Sequence, residues 1–294
     1  MRIGAGLDRR LLYAALVAAV LAAAAYLLMV RTGLGQRLDN AALVGAHQQV
    51  PSERLNDAFF LEKINGPNFI LVLMIIIGIG ALRRRYWLGL TAAAGVLLAV
   101  AGVEFLKRVA LSRPFLVSSD AVFPVNSFPS GHTAIAIACA LALVIVTPPS
   151  LRGLSAVAAG TYAWITAADV QTAGWHRSSD AIGAAFIAFA VMALAAAALA
   201  KTRRVRTGQR LLHIPAFLVF AAVWVYTALK SAINAARVIH YLNTHAATQA
   251  PTTAIFNDAY QFNLNMTILV VVSLLVALLV LLRNYDLDAP RSTG

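Results

Sequence analysis

Charge and cysteine are both scarce in this sequence. Asp, Glu, Lys and Arg make up only 12% of its 294 residues against 60% hydrophobic ones, and the mean hydropathy is +0.76. That balance argues against an ordinary soluble domain and for an integral membrane protein. The one cysteine, Cys139, lies inside an apolar run. It excludes an intramolecular disulfide and reads as a small buried hydrophobe. No fixed-period repeat or low-complexity tract stands out beyond alanine-rich apolar runs. Acidic residues number 12, and the outer loops hold no carboxylate cluster suited to Mg²⁺.

What is abundant is apolar sequence long enough to cross or nearly cross a bilayer, which takes about 20 residues as helix. Eight such stretches are predicted: Leu11 to Val30, Asn65 to Leu82, Trp87 to Leu106, Gly131 to Thr147, Leu154 to Ala168, Ala181 to Ala200, Leu211 to Leu229 and Met266 to Leu282. The second has a strictly apolar part of only Phe69 to Leu82. Snorkelling by Arg83, Arg84 and Arg85 extends it to a full span. Spanning segments satisfy their own backbone as helices, so strand content should be close to nil. The fold class is all-α, a polytopic bundle of about eight spans.

Arg9 and Arg10 precede a first run longer than a signal-peptide core, which reads as a retained anchor. With the N-terminus inside, the cytoplasmic segments hold 14 of the 24 Lys and Arg, as the positive-inside rule asks. The C-terminus is then cytoplasmic too. The net charge of +12 is thus an orientation signal with anionic headgroup contact, not a nucleic-acid surface. The largest outer loop, 31 to 66, contains "PSERLNDAFFLEKI", in which Pro51 and Ser52 start a short helix lying on the membrane or capping the bundle.

Three stretches on that outer face carry chemistry. "LKRVALSRPF" leaves the third span with Lys107 and Arg108 as snorkelling cations, then Arg113 before the helix breaker Pro114. Arg113 suits bidentate contact with a phosphate. In "FPSGHT", Pro129 and Ser130 start a helix whose first N–H groups, near Ser130, Gly131 and His132, make an anion site. Gly131 permits close approach, and His132 adds a group that exchanges protons near neutrality. In "AGWHRSSDAIGA", His176 and Asp180 are four apart and share a helical face, so the carboxylate can orient the ring. His47, His240 and His245 also fall in outer loops and are read as solvated.

In the order Lys/Arg, Ser-Gly-His, His/Asp, these stretches resemble the type 2 phosphatidic acid phosphatase superfamily, which shares its site with vanadium haloperoxidases. The family pattern is Lys, six residues, Arg-Pro; Pro-Ser-Gly-His; and Ser-Arg, five residues, His, three residues, Asp. The resemblance covers roughly residues 65 to 200. Two departures stand out: Lys107 and Arg113 are separated by five residues, and the Ser-Arg pair falls on Asp169 and Val170. One family cation is thus absent, with Arg177 or Arg108 as substitutes.

The resemblance implies a six-helix phosphatase-like core within residues 1–210, with residues 211–294 forming two further helices. It implies His176 as nucleophile, Asp180 as its orienter and His132 as acid and base. Lys107, Arg113, Ser130 and Gly131 would bind phosphate, with no metal or cofactor. The expected substrate is a lipid phosphate or a polyprenyl mono- or diphosphate at the extracytoplasmic face of the cell membrane. The competing expectation is a non-catalytic protein that binds or moves anionic lipids.

Overall fold

The computed structural model describes residues 6–117, 126–202, 205–207, 213–244 and 251–288. Among them, helices stand at all eight apolar stretches. These are α1 (Leu7–Ala25, continued by a π turn Tyr26–Val30), α4 (Gly66–Leu82), α5 (Tyr86–Phe105, continued by a π turn Leu106–Ala110), α6 (Gly131–Val146), α7 (Arg152–Thr172), α8 (Ser178–Thr202), α9 (His213–Thr244) and α10 (Thr253–Leu282). Two more, α2 (Gly33–His47) and α3 (Pro51–Glu62), connect α1 to α4. His245 and much of the segment between α5 and α6 lie outside the described residues.

By length and composition five helices suffice to cross a membrane, and the pair α3–α4, bent by 60°, makes a sixth candidate. Of the eight expected spans, all of which are helices, five, or six with the bent pair, meet that measure among the described residues; α6, at 16 residues, and α7 do not. Outward faces are apolar: Leu16 and Val20 on α1, Met74 on α4, Leu98 on α5 and Leu218 on α9 are all exposed. A packed soluble protein would bury such residues, whereas hydrocarbon accepts them.

Local sequence explains the helix boundaries. Asn65 caps α4 by accepting the Asn68 N–H at 3.2 Å, with Pro67 in the first turn. Ser130 caps α6 by accepting the Thr133 N–H at 3.4 Å. Pro51 opens α3, which spans the stretch the sequence predicts. Small residues let the helices close together: a Cβ on Gly80 would lie 2.7 Å from the Gly89 Cα, so α4 and α5 touch backbone to backbone.

At the end of the bundle away from the motifs, one buried cation ties several helix ends together. Arg152, fully buried, donates through Nε to the Val144 carbonyl at 3.0 Å, and through Nη1 to the carbonyls of Leu282 at 2.7 Å and Tyr285 at 2.9 Å. The last carbonyls of a helix lack intrahelical donors, so a guanidinium there satisfies both the hydrogen bonds and the dipoles of α6 and α10. Beside it Arg83 and Arg85 grip the Asp286 carboxylate. Burial pushes Asp286 up, but Arg85 and Arg83 outweigh it and hold the carboxyl below its ordinary value. Asp286 sits on β2 (Tyr285–Leu287), which pairs antiparallel with β1 (Val205–Thr207), Val205 opposite Leu287. This ribbon departs from the expectation of almost no strand. It lies beyond the helix ends, where backbone need not be satisfied within one helix.

Arg152→Leu should strip donors from three carbonyls, two of them buried, and lower stability by about 3 kcal/mol. Chemical unfolding of the detergent-solubilised protein followed by tryptophan fluorescence checks this; an unchanged midpoint would remove the knot from the account of stability.

Candidate active site

The three motif stretches meet at one end of the bundle, where α6 and α8 begin and where α5 and α7 finish. Helix α7 ends in a glycine cap. Gly174 has φ +74°, its N–H donates to the Gln171 carbonyl at 2.9 Å, and the Trp175 N–H reaches back to the Val170 carbonyl at 3.0 Å. That pair of bonds is the Schellman arrangement, which reverses the chain where glycine alone is comfortable. The His176 N–H also donates to the Val170 carbonyl, at 2.9 Å. The loop carrying His176 is thus fixed by the backbone of α7.

Asp180 lies in the first turn of α8 and is fully buried. Its Oδ2 accepts from Ser127 Oγ at 2.6 Å and from the Arg177 N–H at 3.0 Å, and stands 3.3 Å from His176 Nδ1. Reaching back to the Arg177 N–H is the carboxylate half of a capping box. The third contact fixes the ring, leaving Nε2 directed elsewhere. The Asp180 carbonyl accepts the Ser130 N–H at 3.0 Å, which joins the second and third motifs. Phe128 locks the same turn: its ring packs on Gly183, where any Cβ would strike it, and against Tyr26 at 5.4 Å between centroids.

His132 projects from the first turn of α6. Its ring lies 5.4 Å from that of Trp175, and His176 and Lys107 lie within its electrostatic reach. Lys107 is held by Glu104 at 3.5 Å, and a Cβ on Gly131 would come within 2.9 Å of Glu104 Oε1 and 3.8 Å of Lys107 Nζ. Gly131, Lys107, His132 and His176 therefore form one neighbourhood. Ser130 is at its base, fully buried, with its hydroxyl engaged by Thr133.

Arg113 stands in an adjoining cluster. Its side chain is 4% exposed, Nη2 is 3.8 Å from Asp39 Oδ2, and neither Nη1 nor Nη2 has a hydrogen-bond partner among the described residues. Arg177 is close to both Arg113 and Asp180; its Nη1 donates to Ser127 Oγ at 3.2 Å and its Nε to Asn40 Oδ1 at 3.2 Å. Burial and the neighbouring Arg113 charge push the Arg177 guanidinium below its usual value. Of the two substitutes considered for the missing cation, Arg177 is in the site. Arg108 is not: its side chain is 77% exposed and paired with Glu104 at 2.7 Å. Val170, where the family pattern has arginine, turns its side chain to Leu61 of α3, Ala173 and Ala181. The five-residue spacing of the first motif passes through the π turn Leu106–Ala110, closed by Leu111 N–H to the Leu106 carbonyl at 2.8 Å. An i to i+5 turn changes which way each side chain faces, so α-helical counting misplaces register here.

Helix α2 brings residues the sequence reading passed over. Asp39 is fully buried and accepts from Ser178 Oγ at 3.2 Å, from the Ser179 N–H at 3.4 Å and from Ser179 Oγ. Burial, and next the Asp180 charge, push its carboxyl up to about 6 against the pull of Ser179, Arg113 and Arg177. His47, read as solvated, instead hydrogen-bonds the Gly174 backbone and is held below its ordinary value by burial and Arg54. The available signal was periodic: Gly35, Asp39, Ala42, Leu43 and Ala46 share one helical stripe, so an acid falls on the inward face. Among the described residues no three His, Cys, Asp or Glu side chains group as metal ligands would.

No curated protein and no solved structure matches the chain. Residues 88–204 match the model of the PAP2 superfamily, whose members are phosphatases acting on lipid-like phosphates. That segment runs from α5 past the end of α8 and contains all three motifs, and over it the chain is similar to the PAP2 superfamily.

Proposed function

We propose that the protein is a membrane-embedded phosphatase that hydrolyses a lipid phosphate or isoprenoid mono- or diphosphate at the extracytoplasmic face. The observation that carries this is the His176–Asp180 pair beside His132 at the start of α6. With Nδ1 held by Asp180, His176 attacks phosphorus through Nε2. The phosphorus–oxygen bond to the leaving group, the lipid alcohol or, for a diphosphate, the lipid monophosphate, breaks as the nitrogen–phosphorus bond forms. His132 gives its proton to the departing alkoxide, then takes one from the water that cleaves the phosphohistidine. Lys107, Arg113, Ser130 and Gly131, with Arg177 as the auxiliary cation, bear on the transferred group's oxygens, where phosphoryl transfer draws most of its stabilisation.

The amphiphilic nature of the substrate rests on what adjoins the site. A cavity of about 250 Å³ lies between α4, α6 and α7, lined almost wholly by apolar groups, with Lys63 and Asn68 at one end. Two of its lining residues, Ile135 and Ala136, are one turn from His132 on the same helical face. A hydrocarbon chain entering there leaves its headgroup beside His132. Residues 1–210 would form the catalytic core in the cell membrane, with both termini cytoplasmic. Residues 211–294 would brace it, since Asn263 accepts from Ser178 and Tyr260 meets Thr172 at 2.8 Å.

The second reading, a lipid-binding protein without catalysis, is favoured by Val170 alone, which puts an apolar side chain where the family has a cation. Phosphate release by the purified protein from phosphatidate and polyprenyl diphosphate in mixed micelles separates the two. His176→Ala should lower kcat by at least about 10³-fold; equal silence of wild type and variant on every substrate would favour binding alone.

A second test addresses the tail. Cys139→Phe projects a ring into the cavity and should raise KM for a long-chain substrate by about tenfold, leaving a short-chain, water-soluble phosphate unaffected. Parallel shifts for both substrates would separate the cavity from tail binding.

A further inference from the structure

Helix α2 lies outside the segment that matches the family, yet it reaches the motif residues directly. Asn40 accepts from Arg177, His47 bonds the Gly174 backbone, and Asp39 lies between the first motif and the start of α8. Asp39 differs from the other two in charge and burial. It is fully enclosed, its oxygens face the Ser178 hydroxyl and accept from the Ser179 N–H and hydroxyl, and the Arg113 guanidinium stands 3.8 Å away, with Asp180 and Arg177 also within electrostatic reach.

That distance is an ion pair and not a hydrogen bond. Asp39 compensates the buried Arg113 charge without consuming its donors, and Nη1 and Nη2 have no hydrogen-bond partner among the described residues. A buried guanidinium stripped of its counter-charge leaves its position, because an uncompensated cation in a low-dielectric site is strongly unfavourable. One whose counter-charge also takes its donors cannot bind an anion. The arrangement here avoids both.

We propose that Asp39 is a positioning residue for the phosphate site: it holds the Arg113 guanidinium in place with its donors available and fixes it relative to the start of α8. The amphipathic helix α2 thereby becomes part of the phosphate-binding apparatus. This rests on Arg113 being a phosphate ligand.

Inorganic phosphate binding to the full-length protein in detergent tests it independently of turnover, with Trp175, 5.4 Å from His132, as fluorescent reporter. Asp39→Asn should weaken phosphate binding about tenfold at pH 8, with kcat/KM for phosphatidate falling at least in proportion. A role confined to stability would lower the fraction of active protein and leave the dissociation constant alone. In an Arg113→Ala background the same substitution should change affinity less than about twofold, because the group it positions is gone.

The pH dependence carries a sign. With its carboxyl raised to about 6, Asp39 is ionised at pH 8 and largely neutral at pH 5. The gap between wild type and Asp39→Asn should therefore close as pH falls through 6. The groups facing Asp39 are Asp180, Arg113 and Arg177, and all three are common to both proteins, so the difference isolates Asp39. If Asp39→Asn does not fold, Asp39→Glu keeps the charge but moves it by one methylene, and should weaken binding about threefold.

Phosphate affinity unchanged in Asp39→Asn or Asp39→Glu, additive effects with Arg113→Ala, or no phosphate binding by wild type would each overturn the proposal. Phosphate bound by wild type, weakened by Asp39→Asn and never released from a lipid would uphold it while sinking the phosphatase reading.

Discussion

A carboxylate with no access to water must find its hydrogen bonds inside the protein, and around Asp180 that requirement organises the motif end of the bundle. One oxygen gathers Ser127, the Arg177 N–H and His176 Nδ1. Those partners come from the loop before α6, the start of α8 and the loop after α7. None of the three could shift alone without leaving a buried charge short of donors, a loss larger than that of an ordinary surface bond. The position at the start of α8 adds the favourable end of the helix dipole. Packing alone would bring these helices together, but Asp180 sets which atoms face one another.

The charges around it follow a second rule. Arg113 and Arg177 crowd one another, Asp39 and Asp180 do the same, and each repulsion is tolerated because the opposite pair lies between. Such an assembly is neutral as a whole, so on the proposed reading a phosphate entering it meets cations already compensated. Binding must then come from donors left unused and not from net charge. The Nη atoms of Arg113, without hydrogen-bond partners among the described residues, are of that kind. Lys107 shows the other arrangement: its partner Glu104 is partly open to water, where an ion pair is weak and a competing anion can displace it.

The parts of this structure governed by hydropathy were plain in the sequence. Every apolar stretch became a helix, Ser130 and Asn65 sit at the caps their residue types favour, and α3 begins at Pro51. What escaped was set by contacts across the chain. Helix α2 is rich in small residues and only weakly apolar, so its inward face announced itself through a single misplaced acid. The ribbon of β1 and β2 is three residues on each side, held by register across 80 residues and not by local propensity. The π turn at Leu106–Ala110 departs from counting at 3.6 residues per turn, so the direction of Lys107 could not be read from an α-helical wheel. His47 looked solvated because nothing local tells a loop histidine that the chain will return at Gly174.

Val170 puts these strands together. Read by motif it is a loss, an apolar residue where a cation belongs. In the structure its carbonyl is the acceptor that shapes the turn into His176, and its side chain is fully enclosed against Leu61 of α3. An arginine there would have to displace α3, the helix that continues from α2. The same amphipathic pair supplies Asn40 to Arg177, which enters the cluster seven residues later, from the start of α8. The substitution at 170 and the presence of Arg177 are thus two consequences of one packing choice: α2 and α3 close over the end of α7, excluding a guanidinium from that surface and receiving one from the next.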